Sequence, residues 1–225
     1  MDKTSTHNYR EHLVSVAAGD VKLEGNLVIP DAATGIVVFA HGSGSSRHSP
    51  RNRYVAGVLQ QAGLATLLID LLTHQEEAID LITRNLRFDI ELLASRLVNA
   101  TDWLIQNPET HHLQVGYFGA STGGGAALVA AAKHPQAVKA VVSRGGRPDL
   151  AGSALPHVQA PTLLIVGGYD TQVIAMNQDA LKQLSIEKQL EIIPRATHLF
   201  EEPVALEAVA KLASQWFTHY LAPKN

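Results

Sequence analysis

The chain has 225 residues, 46% of them hydrophobic but only 5% aromatic, so its core must be built mainly from Val, Leu, Ile and Ala. A net charge of −3 offers no attraction to nucleic acid or to an anionic membrane surface, and neither is expected as a partner. With no cysteine, disulfides, thiolate-held metals and a cysteine nucleophile are excluded. The N-terminal stretch MDKTSTHNYREH lacks the apolar segment of a secretory signal, and no apolar run nears the roughly 20 residues of a bilayer span. The expectation is a cytoplasmic protein forming one domain over residues 1–225.

In chain order, residues 12–17 and 21–30 alternate apolar with polar and flank Gly19-Asp20, which predicts a hairpin. Four continuous apolar runs follow, at 35–41, 64–71, 113–119 and 137–143, and two more at 161–168 and 188–195. Such runs suit parallel strands covered on both faces. Helical spacing of apolar residues marks 51–63, 88–108, 122–135, 171–185 and 203–222, with Pro108 and Pro135 as stops. Segment 72–87 is the least regular and reads as a short excursion over the sheet edge. Strands alternating with helices predict an α/β protein with a mostly parallel sheet, opened by an antiparallel pair.

The most informative stretch is VGYFGASTGGGA, residues 115–126, where a predicted strand meets a predicted helix with almost no loop. Ser121 stands at the corner, with Gly119 and Gly123 two residues away on either side. So sharp a corner strains its central residue and admits only small neighbours. It lifts the serine oxygen above the sheet at a helix N-terminus, where unpaired amides favour negative charge. The plainer alternative is a tight turn in which Ser121 caps the helix.

Gly119-Ala120-Ser121-Thr122-Gly123 resembles the nucleophile elbow of the α/β-hydrolase superfamily, and the likeness runs over nearly the whole chain. Within it, the short chain looks like the small dienelactone hydrolase-like enzymes. The resemblance implies an α/β-hydrolase fold: a mostly parallel central sheet of about eight strands, helices on both faces and no large lid domain. It also implies a hydrolase of small acyl esters, lactones or thioesters, without cofactor or metal, whose partner is a small-molecule acyl substrate. Self-association into a homo-oligomer is compatible with it.

The order nucleophile, acid, histidine then points to Ser121, Asp170 and His198, the last two following the sixth and seventh predicted sheet strands after the hairpin's first. Asp70, at the end of LATLLID, is a competing acid, and Asp170 has a competing role as a helix cap. The family's HG-type loop matches His41-Gly42, so the oxyanion hole would use the backbone N–H groups of Ser43 and Thr122, with Gly44 a candidate for binding substrate. His41 itself reads as a structural hydrogen-bonder. The resemblance breaks at two points. The namesake enzymes carry a cysteine where this chain has Ser121. They also grip a substrate carboxylate with an arginine four residues after the histidine, where this chain has Glu202. Arg144, Arg147 and Arg195 are the replacements within reach, Arg144 foremost.

Other residues carry less. His111-His112 reads as a loop pair, and His74 with Glu76-Glu77 as a solvated turn. Trp103, Trp216, Phe217 and Tyr220 read as packing residues. Two rival functions remain: a hydrolase-fold protein that binds without catalysing, and a dinucleotide-binding protein using the GASTGGG glycines. The second fits poorly, because those glycines follow a middle strand and no acid lies at the expected distance.

Overall fold

The computed structural model describes residues 9–223. Most of the polar stretch that was read as lacking a secretory signal lies outside them. Strands β1 (Glu11–Ala18) and β2 (Val21–Val28) form the predicted antiparallel hairpin, turning at Gly19 with a φ of 66°. The free edge of β2 pairs antiparallel with β4 (Ala65–Ile69). Strands β3 (Gly35–Ala40), β5 (Gln114–Ala120), β6 (Val138–Arg144), β7 (Thr162–Gly167) and β8 (Lys188–Ile193) all run parallel with their neighbours. The sheet order is β1-β2-β4-β3-β5-β6-β7-β8.

Every residue of β3, β4 and β7 is buried, which is why these strands read as continuous apolar runs. Successive side chains point to opposite faces and build two separate cores. Val37, Phe39 and Phe118 pack with Val55 and Leu59 of α1 (Pro50–Gln61) and Phe217 of α6 (Ala205–Tyr220). Ile36, Val38 and Tyr117 pack with Leu97 of α3 (Ile90–Gln106) and Leu128 of α4 (Thr122–Lys133). The last helix before β8 is α5 (Thr171–Gln183). Phe217 is fully buried and Trp216 lies 4.7 Å from Tyr220, in keeping with packing roles. Among the described residues no helix is long and apolar enough to cross a membrane.

Three elements escape the sequence reading, the smallest being a 3-10 turn at Leu86–Phe88. Helix α2 (His74–Thr83) occupies the segment read as an irregular excursion. Its start is a capping box: the Thr73 hydroxyl accepts from Glu76 N–H, and Thr73 N–H donates to the Glu76 carboxylate. The T-x-x-E signal was therefore present, and Glu76 belongs to this cap rather than to a solvated turn. The helix has no buried apolar stripe to read, since Ile79, Leu81 and Ile82 all face outward. The third element is a 3-10 helix over Pro148–His157, which carries the crossover from β6 to β7. Gly152, at φ 47°, and Pro156 interrupt its pattern.

Candidate active site

Ser121 sits between β5 and α4 at φ 51° and ψ −120°, a conformation that costs on the order of 1–3 kcal/mol for a residue with a side chain. The surrounding backbone holds it there. Ser121 N–H donates to Arg144 O at 3.1 Å, and Ser121 O accepts from Gly124 N–H at 2.9 Å and Arg147 N–H at 3.1 Å. The flanking glycines are required by contact. A Cβ on Gly123 would stand 2.2 Å from Ala40 O, and one on Gly119 would stand 2.5 Å from Gly123 O. Both obstacles are backbone, so neither can swing aside. Gly123→Ala should therefore destabilise the fold by about 3 kcal/mol or more, as severe overpacking does; an unchanged urea midpoint would contradict this contact.

Ser121 occupies the N-cap position of α4, yet its side chain caps nothing. Its hydroxyl lies 3.3 Å from His198 Nε2. Asp170 likewise occupies the N-cap position of α5 without a side-chain cap bond, and its Oδ2 accepts from His198 Nδ1 at 2.6 Å. Two helix ends thus leave their natural caps unused and direct those side chains at one imidazole. The loop carrying His198 is fastened to the Asp170 loop by Tyr169 N–H donating to Ala196 O at 2.9 Å. It is anchored from below by fully buried Phe200. With its Nδ1 proton committed to the carboxylate, His198 turns the lone pair of Nε2 toward the serine hydroxyl. A separation of 3.3 Å is usual for such a contact before substrate binds. The Asp170 side chain is 16% exposed and the His198 ring 38%, so the carboxylate is shielded and the imidazole open.

The loop after β3 passes beside this corner. Gly42 packs so closely that a Cβ there would lie 3.3 Å from Ser121 Cβ. The N–H groups of Ser43 and Thr122 donate to nothing among the described residues, which leaves both available to an incoming oxygen. Two contacts fix the loop. Asp70, the competing acid, accepts from Arg47 N–H at 2.7 Å and pairs with the Arg47 guanidinium, so it ties the loop to the end of β4 and stands apart from His198. His41 accepts Leu71 N–H at Nε2, 3.0 Å away, which places its proton on Nδ1 for donation to Gly42 O at 2.9 Å.

That arrangement needs a neutral ring. Burial pushes the His41 pKa below its ordinary value, outweighing the opposing pull of Gly42 O and Asp70. The sign follows from proton uptake. Below about pH 6.5 the unfolded chain binds a proton that folded His41 resists. The stability this group lends is thus complete above that pH and fades as pH falls toward the folded value. The urea midpoint of the wild type should drop more between pH 7.5 and pH 5 than that of His41→Gln; parallel drops would contradict the neutral-ring assignment.

A cleft of about 250 Å³ opens above the corner, lined by Ser43, Arg51, Asn52, Ser121, Arg144 and His198 among others. Arg144 is 6% exposed, and its guanidinium lies 5.7 Å over the Phe200 ring. Of the other arginines weighed from sequence, Arg147 is bound to Asp149 at 2.7 Å, and neither it nor Arg195 lines the cleft. Glu202 faces an adjoining groove with Tyr54 and Val204, which Arg51 also lines. Gly44 lines not the cleft but a neighbouring cavity of about 190 Å³ behind the same loop, with Leu72, Leu81 and Leu93. Among the described residues no cluster of three or more His, Asp or Glu is suited to a metal ion. Arg51 went unnoticed in the sequence. Its signal was a pair of cations, Arg51 and Arg53, in the first turn of α1, where the helix dipole favours anions.

A mostly parallel eight-stranded sheet with this corner defines the α/β-hydrolase fold. The chain belongs to the dienelactone hydrolase family, whose profile matches residues 23–221. It is similar to the crystal structure of a dienelactone hydrolase from Anabaena variabilis ATCC 29413, at 78% identity and a TM-score of 0.94, covering 95% of this chain and 99% of that one. A serine hydrolase without lid from Xanthomonas campestris shares the fold, with a TM-score of 0.74 at 18% identity over 96% of this chain and 97% of that one. Two Mycobacterium tuberculosis proteins, from strains CDC 1551 / Oshkosh and ATCC 25618 / H37Rv, are each 59% identical over 221 residues. Each bears the name "Putative phosphoribosyl transferase", and the match covers 98% of this chain and 49% of theirs. The chain thus spans about half the length of the curated relatives it matches.

Proposed function

We propose that this chain is a carboxylic ester hydrolase that cleaves a small acyl ester, lactone or thioester through an acyl-enzyme on Ser121. The reading is carried by one observation: His198 contacts both the Ser121 hydroxyl, at 3.3 Å, and the Asp170 carboxylate, at 2.6 Å. Ser121 Oγ attacks the acyl carbon while His198 Nε2 takes its proton. The negative charge that develops on the carbonyl oxygen falls to the free N–H groups of Ser43 and Thr122, each such donor lowering the barrier by on the order of 3 kcal/mol. His198 returns the proton to the leaving oxygen or sulfur. Water then repeats the sequence against the acyl-enzyme. Asp170 holds the Nδ1–H tautomer throughout and offsets the charge of the imidazolium.

The name of the mycobacterial relatives suggests a second reading. Phosphoribosyl transfer displaces a group at a sugar carbon and has no use for a serine primed by histidine. The activity in that name is therefore not assigned to this chain. The test is turnover of p-nitrophenyl acetate, with a thioester and a lactone beside it. Release of one phenolate per protein chain, ahead of a slower steady rate, is the expected result. No release above buffer with any of the three would overturn the reading and favour a protein that binds without catalysing.

A further inference from the structure

The cleft holds more positive charge than the ester chemistry requires. Arg144 follows Ser143 at the end of β6, and its carbonyl already supports Ser121 N–H. Its side chain is an almost fully buried cation with no carboxylate partner. Its Nε has no acceptor, and its guanidinium lies over the face of the Phe200 ring, which supplies no negative charge. Buried charges are normally paired, because desolvating an unpaired one costs several kcal/mol. Burial, together with the nearby charge of Arg51, pushes the Arg144 pKa down to about 10, so it remains a cation at neutral pH.

Arg51 enters the same cleft from the first turn of α1, a helix of 12 residues with no acidic residue in that turn. Its ion pair with Glu201, at 3.2 Å, involves a carboxylate 64% exposed to water, and such pairs contribute little. Two cations from different elements, each badly placed for stability, therefore face one space beside Ser121. The hydroxyls of Ser43 and Ser45 line the same space and add neutral donors.

We propose that Arg51 and Arg144 form a subsite for a phosphate group carried by the substrate. This deepens the hydrolase reading by naming the substrate class: a small acyl ester with a phosphate on one side of the scissile bond. A carboxylate, with one charge and two oxygens, would satisfy the fork of one guanidinium and leave no acceptor for the other. A phosphate monoester, carrying about −1.5 to −2 at neutral pH with three acceptor oxygens, matches both. The position at which the namesake enzymes hold a carboxylate is Glu202, which lies outside this cleft.

Binding is best read without turnover, so that failure of the hydrolase reading leaves this test intact. Calorimetric titration of the Ser121→Ala protein at pH 8 compares phenyl phosphate, inorganic phosphate and benzoate. Phenyl phosphate should bind at least tenfold more tightly than benzoate and several-fold more tightly than inorganic phosphate. Adding Arg144→Met should weaken phenyl phosphate at least tenfold, as should Arg51→Gln. Arg53→Gln, on the same helix but outside the cleft, should not. Thermal melting of the Arg144→Met protein should be equal or higher, since an apolar side chain relieves a buried unpaired charge. Equal affinity for benzoate would mean that a single charge is recognised. Equal affinity for inorganic phosphate would mean a free-ion site. Undiminished binding in either arginine variant, or no binding at all, would overturn the proposal.

Discussion

Ser121→Ala should lower kcat for p-nitrophenyl acetate by about 10⁴- to 10⁶-fold while leaving the fold intact. The methyl retains the Cβ, and the strained backbone at φ 51° is held by three main-chain hydrogen bonds that do not involve the hydroxyl. Since the hydroxyl caps no helix, its removal exposes no unsatisfied amide. The loss should therefore appear in chemistry and not in the melting temperature. The free N–H groups of Ser43 and Thr122 persist in the variant, so a small residual rate over water is expected. Turnover within tenfold of the wild type would mean that some other group attacks the ester.

Asp170→Asn is the second large effect, with kcat expected to fall by about 10⁴-fold. The amide preserves size but presents a neutral group to His198 Nδ1, now held at 2.6 Å by a carboxylate. If the new NH2 faces the ring, Nδ1 must become the acceptor. The proton then moves to Nε2, the atom that has to receive the serine proton. The companion variant Asp70→Asn separates the two acids. Asp70 binds Arg47, not His198, so its loss loosens the loop after β3 without changing the tautomer. Its effect on kcat should be far smaller than that of Asp170→Asn. The reverse ranking would make Asp70 the orienting acid.

How much of this was legible in the sequence follows from what each residue must satisfy. The interior strands were plain because both faces of β3, β4 and β7 are covered, leaving no position for a polar residue in the middle of a run. All eight strands and five of the helices lie within two residues of their expected bounds. Helix α2 was missed because its apolar residues, Ile79, Leu81 and Ile82, face water and give no one-sided stripe. Its capping box alone marked it. The corner at Ser121 was legible because the close approach of α4 to β3 tolerates nothing larger than glycine at 123. Asp170 and His198 were placed by chain order and strand ends, while their shared contact exists only in three dimensions. Arg144 was named as a candidate, but its lack of a partner could not be read from the chain. Arg51 was hidden inside an ordinary helical pattern. Only the electrostatic misfit of a cation at a helix start distinguished it.

The reactivity of one hydroxyl underlies the hydrolase reading, and a covalent probe reports it directly. Wild-type protein incubated with a fluorophosphonate, then digested and analysed by mass spectrometry, should carry a single adduct on the peptide containing Ser121. The adduct should form far more slowly in His198→Ala. An unmodified chain, or an adduct on any other residue, would contradict a serine primed by its histidine neighbour.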